Sequence, residues 1–396
     1  MELLTANHGL MRDINKLTVL TLIRQNGPIS KAQIAQITGL NKTTITSCVE
    51  QLKQDLLIRE IGFASTSQGR PPLMLQFNGK EGLVVGAALG VNFSDVIVAN
   101  LEGDILCQNR IPLRAQSAEL FIQDIGDAIA ASMDSVAMPA LGVVGIGIGC
   151  PGIVNTATGD IVRSNRYPLL PHVPLRRALE ERFQRSVTVE ENGNAALAGA
   201  YYFGKMSASS TSMYVHVGLG IGSGIMLQGS LYRGGLGFAP KLGHTLFAAG
   251  GKACGCGLSG CFEMYASEHS LAEHYWERDM RHEDSGDIWR LAGEIIELAV
   301  QGEAKALRSV LHIGEMLGMG IASSINLLNP DHIILGCRLN RVDSFMAVVE
   351  QSIARHVLPL RMEGLTLMPA PFGEHSVSLG AASLAIEHMF SGIKVG

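Results

Sequence analysis

Apolar residues recur at helical spacing through the first fifty positions and then switch to short strand-like runs. Ile14, Leu17, Leu20 and Ile23 fall three residues apart, which predicts an amphipathic helix ending near Gly27-Pro28. Ser30 followed by Gln33 predicts a capping-box start for a second helix that reaches Ile37 and is closed by Gly39. Asn41 caps a third helix, whose inward face is Ile45, Cys48, Val49 and Leu52. Its other face carries Thr43, Thr46, Ser47 and Glu50, and small hydroxyl residues there can approach base edges and phosphates closely. Two short strands, 57–61 and 73–77, bracket a polar tip. There Arg70, stiffened by Pro71-Pro72, is placed to reach a minor groove or a phosphate.

Residues 1–80 therefore read as a winged helix-turn-helix, with Asn41, Lys42, Thr43, Thr44, Thr46, Ser47 and Arg70 as its expected contacts to double-stranded operator DNA. The recognition face lacks an arginine, so readout falls on Lys42, the hydroxyls and the wing. The competing reading is a small helical interaction module with a solvated hairpin.

From residue 83 the pattern becomes Gly-rich and apolar. Segments 84–89, 96–100 and 105–111 predict a three-stranded meander, followed by a helix over 121–133 and a buried strand over 143–149. A helix over 174–183, a strand over 187–190, the run Asn192-Gly193-Asn194 and an alanine-rich helix over 195–202 follow. A second set begins with strands 213–217 and 225–227 around the glycine run 218–224, then long helices across 286–328, a strand 333–335 and a last helix 377–389. The units 143–154 and 215–227 are alike in character, which suggests two lobes with a ligand cleft between them. The glycine run reads as a phosphate loop or as a tight strand-to-strand turn, and it lacks both the Walker lysine and a following helix.

Composition narrows the class. A chain of 396 residues with 47% apolar and 17% charged residues predicts two or three globular domains. No run of eighteen apolar residues and no secretory leader are evident, so a cytoplasmic protein without membrane insertion is expected. The net charge of −5 is unevenly spread: residues 1–80 hold nine Lys/Arg against five Asp/Glu, as a surface meeting a polyanion would. Three of the seven cysteines, Cys254, Cys256 and Cys261, lie within eight residues, ten positions after His244. Three thiolates and one imidazole complete a tetrahedral set for structural Zn2+, the alternative being buried thiols clustered by chance. Cys48, Cys107, Cys150 and Cys337 sit in apolar segments and read as reduced core residues.

These motifs resemble the ROK family of sugar kinases and transcriptional repressors, in its repressor branch. The resemblance is carried by Gly243-His244 with Cys254, Cys256, Cys261 and Glu263, by residues 147–152 and 218–224, by Asn329-Pro330-Asp331 and by residues 378–382. It implies an α/β chain: an N-terminal winged helix-turn-helix, then a two-lobed actin-like (ribonuclease H-like) ATPase fold with a zinc-binding loop. The implied division is a head over 1–80, a first lobe over 81–204 and 374–396, and a second lobe over 205–373.

Departures from the family kinases are instructive. Their acidic phosphate loop is Ala88-Leu89-Gly90-Val91-Asn92 here, the glycine pair on their adenine side is Gly336-Cys337 with Arg338 behind it, and their catalytic aspartate falls at Asn192. An amide cannot accept a proton from a sugar hydroxyl near neutral pH, so no kinase activity is expected. The alternative is a bifunctional sugar kinase that also binds DNA.

By the same resemblance His244 offers its free side to the ligand and Glu263 accepts a sugar hydroxyl. The expected ligand set is Asn165, Glu191, Asn192, Lys241, His244 and Glu263. Lys241 stands where the family has a glutamate. Either it pairs with Glu191 or Glu190 and partly fills the pocket, or it receives a ligand bearing a carboxylate or phosphate. The implied protein is a homodimer or tetramer with a sugar or sugar-derivative effector, although no small inducer need bind. A sugar-transport protein is a further candidate partner.

Overall fold

The computed structural model describes residues 8–390 apart from 64–70, 92, 165–166, 168–169, 171, 205, 207–209, 239, 281–284 and 360–361. The N-terminal head contains α1 (His8–Asn26), β1 (Ile29–Ser30), α2 (Lys31–Thr38), α3 (Lys42–Gln54), β2 (Ile58–Phe63) and β3 (Leu73–Phe77). The capping box forms: Ser30 Oγ accepts from the Gln33 amide, and the Gln33 side chain accepts from the Ser30 amide at 2.9 Å. Gly39 ends α2 in the left-handed conformation, and Asn41 Oδ1 accepts from the Thr44 amide at 2.8 Å to start α3. Ile45, Cys48, Val49 and Leu52 turn inward onto Val19, Leu20, Ile23 and Ile34. The sequence gives no sign of β1, because two residues carry no periodicity. It exists through pairing with β3, in the order β1-β3-β2.

The first lobe follows with β4 (Leu83–Leu89), β5 (Phe93–Asn100), β6 (Ile105–Pro112), α4 (Ala118–Asp134), β7 (Val143–Cys150), β8 (Ile153–Asn155), β9 (Asp160–Arg163), α5 (Leu175–Phe183), β10 (Val187–Glu191) and α6 (Asn192–Tyr202). The second contains β11 (Ser212–Val217), β12 (Ile221–Leu227), β13 (Ser230–Leu231), α7 (Glu263–Ala266), α8 (Glu268–Trp276), α9 (Ser285–Val300), α10 (Ala304–Leu328), β14 (His332–Cys337), α11 (Phe345–His356) and β15 (Thr366–Pro369). The chain closes with α12 (Ser376–Phe390), which packs on β4, β7 and α6 of the first lobe. At 25 residues α10 is long and apolar enough to cross a membrane, yet Val310, Ile313, Leu317, Ile321 and Ile325 are buried in the second lobe's core.

The two five-stranded sheets share one plan. In the order β10-β7-β4-β5-β6, the strands β4, β5 and β6 run antiparallel and β7 and β10 join in parallel. In the order β13-β12-β11-β14-β15, β11, β12 and β13 are antiparallel and β14 and β15 parallel. Thus β4 matches β11 and β7 matches β14, so the likeness in character of 143–154 and 215–227 does not reflect equivalent strands. Glycine there marks close approach of a helix rather than repeat position. A Cβ on Gly147 would lie 1.8 Å from the Ala381 carbonyl oxygen of α12, and one on Gly224 would lie 2.5 Å from the Gly193 carbonyl oxygen of α6.

Of the two readings of the glycine run 218–224, the strand-to-strand turn is the one that forms: the Gly218 amide bonds Gly220 O at 2.9 Å and β12 begins at Ile221. Asn192-Gly193-Asn194, expected to lie ahead of the alanine-rich helix, forms the first turn of α6, three residues before the expected start.

The head is not a free module. Its core runs on into Ile97, Ala99 and Leu101 of the first lobe and Leu379, Ala385 and Ile386 of α12, and Phe77 meets Phe390 edge-on at 6.3 Å. Replacing Gly147 by Ala should push α12 off the first sheet and destabilise the fold by about 1–3 kcal/mol. Urea denaturation checks this, and an unchanged midpoint would contradict the packing described.

Candidate functional site

The four metal-ligating side chains foreseen from spacing come together. His244 ends a single helical turn, Leu242–His244, and the three cysteines follow on a tight loop. Isolated pairings of Leu246 with Cys261 and of Ala253 with Ser259 fold that loop back on itself. Gly257 and Gly260 take φ values of 95° and 77°, which the reversal requires. The ligand atoms of His244, Cys254, Cys256 and Cys261 all lie within 4.8 Å of one another. Cys254 Sγ is 3.7 Å from His244 Nδ1 and Cys256 Sγ is 3.6 Å from Cys261 Sγ. Metal–sulfur bonds of about 2.3 Å put tetrahedral sulfurs about 3.8 Å apart, so the set fits a four-coordinate ion closely. None of the cysteines is bridged, and burial pushes the Cys254 and Cys261 thiols up. A cation is what would hold them as thiolates.

The residues expected to line a ligand cleft beside this loop come from both lobes. Glu263, at the start of α7, accepts from the Ile221 amide at 3.3 Å and from the Cys254 thiol at 3.2 Å, and its Oε1 lies 3.6 Å from His244 Nδ1. Lys241 reaches over from the second lobe. Its Nζ donates to the Glu191 carboxylate and, at 2.9 Å, to Gly152 O, both in the first lobe. Of the two partners weighed for Lys241, it is Glu191 that forms the pair. Glu190 is engaged elsewhere: it bonds Arg233 at 2.7 Å and accepts from Asn194 at 3.1 Å. Burial pushes the Lys241 ammonium down to about 8, with the Glu190 carboxylate acting the other way. Asn192 Oδ1 is buried and has no hydrogen-bond partner among the described residues. Asn165 and Arg70 lie outside the described residues.

Farther along, Phe93 and Trp289, which the sequence did not single out, close the seam together with Arg338. Phe93 of the first lobe packs on Trp289 of the second at 5.0 Å between ring centres. Arg338 lies over Trp289 at 4.4 Å and holds Glu268 through bonds of 2.9 and 2.6 Å. Arg233 and Trp289 left no signal because their partners are far away in sequence.

On the head, Asn41, Lys42, Thr43, Thr46 and Ser47 are exposed and Thr44 is half-buried. Glu50 lies 3.7 Å from both Lys31 and Lys53. Lys42 has no ion-pair partner among the described residues, so its charge is free for a phosphate. Purified protein should carry one metal ion per chain by elemental analysis. Cys256→Ser should lose it and melt lower by roughly 5 °C or more. A metal-free wild type of equal stability would contradict a structural centre.

Comparison with known proteins extends this geometry. The chain matches the ROK family over residues 84–388 and a winged helix-turn-helix DNA-binding family over residues 12–59. It is 30% identical over 395 residues to a xylose repressor of Bacillus spizizenii, covering 98% of this chain and 99% of that one. A ROK family transcriptional regulator, a homologue of the Escherichia coli MLC protein, superposes with a TM-score of 0.79 at 24% identity over 97% of this chain and 98% of the other. A ROK family glucokinase from Streptomyces griseus, solved with glucose and AMPPNP, gives a TM-score of 0.68 at 26% identity over 77% of this chain and all of its own.

Proposed function

Because the chain belongs to the ROK family, we propose that it is a sugar-responsive, DNA-binding transcriptional repressor whose kinase-like body no longer transfers phosphate. One juxtaposition carries this reading: an exposed polar recognition helix rides on a body in which Asn192 opens α6 where a proton acceptor is needed. The neighbouring carboxylates do not substitute for it, since Glu190 is held by Arg233 and Glu191 by Lys241. Without a base, a sugar hydroxyl in the cleft can be bound but not activated.

In this reading Asn192, Glu191, Lys241, His244, Glu263 and Asn165 hydrogen-bond the hydroxyls of a sugar or sugar derivative. The metal is Zn2+, because three thiolates and one imidazole in a closed set suit that ion. It stiffens the loop that presents His244 and takes no part in chemistry. The head reads operator DNA with Asn41, Lys42, Thr43, Thr44, Thr46 and Ser47 in the major groove and Arg70 of the wing alongside. Paired heads of a homo-oligomer match a two-fold operator, and the protein works in the cytoplasm, where its DNA is. Effector changes operator affinity only by binding one state of the cleft better than the other.

A gel shift against the chain's own upstream DNA, run with thermal shifts over xylose, glucose and their acids and phosphates, tests the reading. The expected result is a shifted fragment released by a stabilising sugar, and no shift of any fragment would sink it. Lys42→Ala should weaken all duplexes alike and reduce the salt slope of log K by about 1. A coupled assay should show no ATP turnover with any hexose, and measurable turnover would restore the kinase reading.

A further inference from the structure

One helix touches the cleft, the second lobe and the head. At the cleft end of α6, Glu191 is its N-cap and Asn192 its first residue. A Cβ on Gly193 would lie 2.4 Å from the backbone of Ser223 in β12, so the helix start is pressed against the second sheet. Ala196, Leu197 and Ala200 are buried with Tyr214, Met226 and Ile334 of that sheet. On the first-lobe side Gly199 meets Gly380 of α12, where a Cβ would lie 2.7 Å from its Cα. At the far end, Arg24 of α1 donates to Tyr202 O at 3.0 Å and lies 3.8 Å over the Tyr202 ring. A cation on the last carbonyls of a helix suits its dipole as well as its hydrogen bonding. Eleven residues span about 16 Å. Packed this tightly, the helix cannot shift at one end without carrying the other.

The cleft end is held by a bond between lobes. Lys241 belongs to the second lobe, and both of its acceptors, Glu191 and Gly152 O, belong to the first. Asn192, whose Oδ1 has no partner among the described residues, follows directly in the chain. A ligand rich in hydroxyls that satisfies Asn192 comes within reach of the pair and competes for its donors and acceptors.

We propose that the Lys241–Glu191 ion pair is a latch across the cleft, and that its state reaches the DNA-binding head along α6 through the contact of Arg24 with Tyr202. Both residues act through position, not by touching DNA. The inference rests on the reading of the chain as a DNA-binding regulator and adds the route by which the cleft governs the head. It also explains why the site keeps a part-buried pair: an interaction made in one closure and lost in another biases the two states.

A double-mutant cycle tests it without an effector. Full-length wild type, Glu191→Gln, Arg24→Gln and the double variant are titrated against a duplex selected on the wild type from a random pool. Glu191→Gln should change the dissociation constant about fivefold or more, and the change should fall below about twofold in the Arg24→Gln background. Lys241→Gln provides the same cycle from the other side of the latch should Glu191→Gln fold poorly, with melting curves monitoring each variant. Arg24→Lys, which keeps a cation and a donor, should restore part of the coupling. Additive effects, or no change on opening the latch, would overturn the proposal while leaving the regulator reading intact. Failure of the wild type to select any duplex would remove both.

Discussion

The return of α12 to the first lobe is the contact on which the architecture depends. Added Cβ atoms on Gly86, Gly147 and Gly380 would lie 2.0, 1.8 and 1.8 Å from backbone oxygens across the interface, so α12 approaches β4, β7 and α6 backbone to backbone. The chain leaves the first lobe at the end of α6, builds the second sheet and its helices, and comes back through α12. The second lobe is thus an excursion anchored at both ends by two helices packed on each other. The proposed ligand cleft falls where α6 begins, because that is where both sheets come near one helix terminus.

Electrostatics then decides what the cleft can do. A buried carboxylate without a partner costs several kcal/mol, and here Glu190 and Glu191 each have a cation, from Arg233 and Lys241. Arg338 likewise satisfies Glu268 at the other end of the seam. Charges matched in this way leave the cleft with hydrogen-bonding groups and little net attraction for a strong anion. That balance suits the hydroxyl-rich ligand of the proposed function. It also makes the paired reading of Lys241 the more economical of the two open at the outset.

Much of this was legible in the chain because it is local. The capping box at Ser30, the glycine closing α2, the inward stripe of α3 and the three cysteines near His244 all depend on residues a few positions apart, and all are found where expected. What stayed hidden depends on distance or on length. Arg233 reaches Glu190 across 43 residues and Phe93 meets Trp289 across lobes, with no periodicity to betray either. The alanine run predicts a start for α6 three residues late, and the close packing of Gly193 on the Ser223 backbone of β12 is a contact between distant residues. The shared plan of the two sheets was not legible either, because glycine content follows helix crossings, not strand order.

The aromatic stack at the seam has one more consequence. The chain contains only two tryptophans; Trp276 lies about half exposed, while Trp289 has the guanidinium groups of Arg110 and Arg338 5.9 and 4.4 Å from its ring centre, with Phe93 beside it. Indole emission responds to nearby charge and to water. Because Arg110 and Phe93 belong to one lobe and Trp289 and Arg338 to the other, any change in the angle between them would alter that emission. The molecule carries its own optical gauge of lobe movement.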